Sequence, residues 1–192
     1  SFSVFFSSSY SFGTELREGT ATQLLETSNN SVITAVAGKM LPYTLVYFIY
    51  AMIMNFFLFS VVNIPLQGNY TLIILSEILL IIAYQLIAIS FLAVSSNMRL
   101  TMSLGSAFTM MALTFAGLTF PYMAMPVSAK IFSHIFPYSY WLKTFLGQSL
   151  RGEDIVNSIY PLYYILIFIA VGVLSLPLYK KRLANKKYHG KI

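Results

Sequence analysis

The sequence predicts an all-α, polytopic helical membrane protein, and three observations lead there. Of 192 residues, 57% are hydrophobic and only 9% are charged, where soluble domains average about a quarter charged. The mean hydropathy is +0.73. Four stretches, 40–62, 71–95, 101–120 and 159–179, reach the roughly 20 mostly apolar residues that a bilayer core demands. The expected architecture is four complete transmembrane helices plus the end of a fifth, with a cytoplasmic helical segment and an outer re-entrant or amphipathic segment. No cysteine is present, which excludes disulfides and thiolate metal sites. The net charge of +6 comes largely from a basic C-terminal run, so nucleic acid is not the natural partner.

Taken in order, residues 1–12 are apolar but too short to cross, and read as the end of a span that begins earlier. Residues 13–38 read as a cytoplasmic segment. It contains "TELREGTATQLLETS", Thr14 to Ser28, with three of the chain's six carboxylates. Thr14 suits a helix cap, and Glu15 and Glu18 favour a helix N-terminus. Leu16, Leu24 and Leu25 give a modest apolar side. Gly19 weakens the helix interior, and "SNNS", Ser28 to Ser31, reads as a turn or break. An interfacial helix on the inner leaflet is a second reading, which the acidic residues oppose because anionic lipid favours a basic face.

Residues 39–192 form the transmembrane domain. Lysine and arginine favour the cytoplasmic side, and the tail 180–192 carries Lys180, Lys181, Arg182, Lys186, Lys187 and Lys191. Counting spans back from this tail leaves nine basic residues inside and three outside, Lys130, Lys143 and Arg151. The stretch 121–158 is too broken by Pro121, Pro126 and Pro137 to be one span, and too apolar for a plain loop. Val127, Ile131 and Ile135 recur at helical spacing, as do Leu142, Phe145 and Leu146. Short helices at the outer interface fit this pattern. Trp141, Tyr138 and Tyr140 suit the headgroup level.

Two motifs, in order and on opposite faces, are similar to ABC type-2 transporter permeases. The first is "ELREGTATQLLETS", followed about ten residues on by "GK" and a span. Its matching positions are Glu15, Arg17, Glu18, Gly19, Thr20, Gln23, Leu24, Leu25, Thr27, Gly38 and Lys39. The second is "FAGLTFPYMAMPVSAKIFSHIFPYSYWLKTFLGQSLRG", matched at Gly117, Phe120, Pro121, Met125, Pro126, Pro137, Tyr140 and Gly152. The family's usual proline after the threonine is Ser28 here. The first span and large outer domain of many members are absent from this sequence, which resembles a permease's C-terminal portion.

The resemblance implies a permease subunit of an ABC exporter in the cytoplasmic membrane, with the C-terminus cytoplasmic. It implies a separate ATP-binding subunit, which carries ATP and Mg, and a second permease half, identical or not. Residues Glu15, Arg17, Glu18, Gly19, Thr20, Gln23, Leu24 and Leu25 would form the coupling helix. Phe120, Pro121, Met125, Pro126 and Tyr140 would belong to an outer gate segment.

The residues themselves carry no ATP-binding loop of the form G-x-x-x-x-G-K-[ST] and no hydrolase or zinc signature. The chain is therefore not expected to be an enzyme, nor to bind a cofactor or metal of its own. His134 and His189 fall on opposite sides of the membrane in this topology. Glu77 is the one carboxylate inside a predicted span, and intramembrane charge suggests function by default. Its position near the outer end equally allows an interfacial or structural role. Asn55, Glu77 and Gln85 form either a polar stripe along a translocation route or a set of bonds across helices, the commoner use. "GSA", Gly105 to Ala107, would permit close helix approach. Two other readings compete: an intramembrane transferase, which needs convergent catalytic groups not found beyond Glu77, and an ATP-independent channel or scaffold.

Overall fold

The computed structural model describes residues 2–18, 28, 31–95, 97–117 and 125–184. The described residues are helical throughout their regular structure, with no strand among them. Among the described residues seven α-helices follow one another: α1 (Phe2–Glu18), α2 (Val32–Phe56), α3 (Tyr70–Ser95), α4 (Met98–Phe115), α5 (Val127–Ser133), α6 (Pro137–Leu146) and α7 (Ile155–Ala184). Two of them, α2 and α6, run on into single π-helical turns, Phe57–Val61 and Gly147–Arg151.

Local chemistry sets most of these boundaries. Ser31 caps α2 by accepting from the Thr34 N–H at 3.4 Å, so the predicted break at "SNNS" falls where α2 begins. That start lies eight residues before the expected span at Met40. Asn97 caps α4, accepting from the N–H groups of Arg99 and Leu100 at 2.9 and 3.3 Å. Pro137 opens α6 at a position where its missing N–H costs nothing. Gly152 closes the following turn at φ 58, a left-handed conformation that glycine adopts without strain.

Among the described residues three helices are long and apolar enough to cross a membrane: α2 with its π turn, α3 and α7. The remaining predicted span, 101–120, corresponds to α4. It has 18 residues, carries Arg99 in its first turn, and is not among the three. The predicted outer segment does form short helices, α5 and α6. Two of its aromatic rings, Phe136 and Tyr140, turn fully into the protein, while Tyr138 and Trp141 are half-buried and Phe132 is exposed. Tyr140 is buried and stacks on Tyr164 of α7 at 4.7 Å between ring centres, and Trp141 stacks on Phe145. They do so because α6 lies against α3 and α7, whose apolar flanks compete with lipid for the rings.

Helix α3 is the axis of the bundle. The helices α1, α2, α4, α6 and α7 all pack against it, α7 most extensively. Small residues allow the closest approaches. A Cβ at Gly172 of α7 would sit 2.5 Å from Leu86 of α3, and one at Gly105 of α4 would fall inside the ring of Phe5. The close approach predicted at "GSA" is therefore realised against α1. Polar side chains stitch the apolar surfaces together: Ser90 to Ser175 at 2.8 Å, Thr44 donating to Gln85 at 3.0 Å, and Tyr47 donating to the Ser3 carbonyl at 2.9 Å.

Candidate functional site

Helices α2 and α3 each place a strongly polar side chain about two turns from the end of the bundle where their connecting loop lies. Asn55 and Glu77 are 1% and 7% exposed. A carboxylate at that depth is costly without a partner. Asn55 supplies one, its Nδ2 donating to both Glu77 oxygens at 3.0 and 2.8 Å. The two residues predicted as a stripe thus meet directly across the α2–α3 contact.

They also face a cavity of about 380 Å³ enclosed by α1, α2, α3 and α6. Its walls are mostly apolar. Leu80 and Ile81 of α3 flank Glu77, and Trp141 and Phe145 of α6 stand in the same lining. Tyr50 and Met54 of α2 line it too and are exposed, which puts the mouth on that side. The buried Nε1–H of Trp141 meets no acceptor among the described residues.

Gln85 does not join this site. It lies two turns further along α3, about 12 Å away by helical rise, accepts from Thr44, and is fully buried. Asn63, eight residues past Asn55, leaves the helix altogether. It adopts φ 55 beyond the π turn and donates to the Val61 carbonyl at 3.4 Å.

At the other end of the bundle, the acidic segment begins as the last turn of α1. Thr14 donates to the Tyr10 carbonyl at 2.7 Å inside that helix, so it continues a helix and does not cap one. Glu15 pairs with Lys39 of α2. Its carboxylate is thereby tied to the start of α2 within the chain. Lys39 also sits 5.7 Å from the centre of the Phe12 ring. Tyr179 of α7 is fully buried against the same ring and donates to the Phe12 carbonyl at 3.3 Å. Glu18 closes α1 and is exposed. The side chain of Arg17 and residues Gly19, Thr20, Gln23, Leu24 and Leu25 lie outside the described residues.

Of the outer gate positions, Phe120 and Pro121 also lie outside them. Met125 is buried, Pro126 precedes α5, and the Tyr140 hydroxyl meets His134 Nδ1 at 3.0 Å. The residue that organises this end was not singled out by sequence. Gln148 is buried and bonds four ways. Its Nε2 donates to the Glu153 carbonyl at 2.8 Å and to Ser158 Oγ at 2.5 Å, its Oε1 accepts from the Asn69 N–H at 2.6 Å, and its own carbonyl accepts from the Gly68 N–H at 2.8 Å. The α2–α3 loop is thereby fastened to the α6–α7 turn. The one available signal was an amide in an otherwise apolar stretch.

Among the described residues no group of three histidines or carboxylates is placed to hold a metal. No curated protein and no solved structure matches the chain. A family model described as "ABC-2 family transporter protein" matches residues 1–176. With long apolar helices, a polar pair buried between them and a match over nearly the whole length, the chain belongs to the ABC-2 transporter family and is the membrane subunit of a transporter.

Proposed function

We propose that this subunit is the permease of an ATP-driven exporter, with ATP and Mg bound by a separate ATP-binding subunit. A second permease half, of the same or a different chain, completes the route. The membrane is the cytoplasmic one, and Glu18, Lys39 and Arg182 mark its cytoplasmic side, in line with the bias of basic residues. Closure of the ATP-binding subunits would push on the segment from Glu15 to Leu25, and the spans would reorient by alternating access.

The observation that carries this reading is mechanical. Helix α1 runs without a break to Glu18, and the Glu15–Lys39 pair fixes its end to the start of α2. A displacement delivered at Glu18 therefore moves two helices as a body, where a flexible loop would absorb it. Glu18, exposed at the tip, is the described residue best placed for partner contact. The test is a double substitution, Glu18→Ala with Gly19→Pro, followed by co-purification of the ATP-binding subunit and measurement of its stimulated ATPase activity. Loss of either is expected. Unchanged values for both would remove the coupling role.

A further inference from the structure

We infer that the cavity between α1, α2, α3 and α6 is a binding site for a lipophilic organic cation, with Glu77 as its counter-charge. The transporter reading gives this site its purpose, since it would then describe the cargo or an intermediate station for it. The binding itself does not depend on that reading.

The argument begins with charge. Glu77 is 7% exposed, inside a helix long and apolar enough to cross a membrane, and its one side-chain hydrogen-bond donor among the described residues is a neutral amide. The Glu15–Lys39 and Arg151–Glu153 ion pairs lie elsewhere. A carboxylate at such depth is costly unless a positive group joins it. Asn55 aims its Nδ2 at both oxygens and so holds the carboxylate at the cavity wall. It stabilises the charge without neutralising it. A merely structural acid has no need of an adjoining space, yet Glu77 lines about 380 Å³, within the range of pockets that hold small ligands.

The rest of the lining specifies the body of the ligand. Tyr47, Tyr50, Trp141 and Phe145 offer aromatic rings, and Leu80 and Ile81 an aliphatic floor. Faces of Trp and Tyr attract cations that are poorly hydrated. Together these favour a bulky, apolar, singly charged cation over a hydrated metal ion, which would need several oxygen ligands. Exposed Tyr50 and Met54 at the rim allow entry from the lipid side of α2.

Trp141 is the chain's single tryptophan and stands in the wall, so its fluorescence reports on the site directly. The test uses the purified full chain in detergent, without any ATP-binding subunit, titrated with tetraphenylphosphonium and with tetraphenylborate, its isosteric anion. Saturable change with the cation alone is expected. Glu77→Gln should weaken the cation's binding by roughly thirtyfold or more, as losing one member of a buried charge pair does. Ala51→Phe, which fills the cavity and keeps Glu77, should abolish it, and this variant stands in if Glu77→Gln fails to fold. Equal response to the anion, unchanged affinity in Glu77→Gln, or unchanged affinity in Ala51→Phe would each overturn the assignment. None of these results touches the coupling experiment, which reads the opposite end of the bundle.

Discussion

Helices α2 and α3 are both long and apolar, yet their surroundings differ completely. Within its most apolar stretch α3 is 72% buried, whereas that of α2 with its π turn is 6% buried. Ile73, Ala83, Tyr84 and Ile89 of α3 have no exposed surface, while Leu45, Val46, Ile49 and Ile53 of α2 are each more than half exposed. One helix is the core of the bundle and the other presents its side chains to whatever surrounds it. Apolar composition marks both as stable away from water and does not distinguish protein from lipid as the neighbour.

The largest effects should follow this division. Ile89→Ala opens a cavity in the core and is expected to destabilise the protein by about 2–5 kcal/mol. Ile53→Ala on α2 should stay within about 0.5 kcal/mol. Thermal unfolding in detergent compares them, and equal losses would mean the two helices are not core and surface.

Glycines offer the next contrast. Gly172 faces Leu86 across the α3–α7 contact, whereas a Cβ at Gly38 of α2 meets nothing within 4 Å. Gly172→Leu should cost about 1–3 kcal/mol by overpacking. Gly38→Ala, which improves helix propensity, should be neutral or stabilising. Of similar size is Gln148→Leu, which removes the partner of the part-buried Asn69 N–H and Glu153 carbonyl. A loss of about 1–3 kcal/mol is expected, together with faster proteolysis in the loop between α2 and α3. The smallest expected effect is Ser31→Ala, where loss of the cap at the start of α2 should cost about 1 kcal/mol or less. Helicity and melting temperature would report it.

What the sequence made legible was what hydropathy and local chemistry encode. The long apolar helices, the break before Val32, the short helices around Pro126 and Pro137 and the tight approach at Gly105 all rest on residues close together in the chain. The extent of α2 was read less well at its start: Ser31 caps it so that it begins at Val32, eight residues before Met40, whereas its π turn ends at Val61, within the predicted run 40–62. The pairings were illegible. Asn55 and Glu77 meet across 22 residues, Glu15 and Lys39 across 24, and Gln148 reaches Asn69 across 79. No periodicity within one segment announces such partners. The polar residues of the spans were recognisable as exceptions, and only packing decided which of them share a site.

The contact between Tyr179 and Phe12 joins residues 167 positions apart. The Phe12 end of α1 therefore gains this partner only once α7 has inserted, whereas the Val4–Phe5 end packs on the earlier helices α3 and α4. Until then the Phe12 end waits beside α2, held by the Glu15–Lys39 pair. Assembly that depends on so distant a closure is slow. A chain cut short before Tyr179 would leave only the Phe12 end of α1 without its last partner, a local weak point open to membrane quality-control proteases.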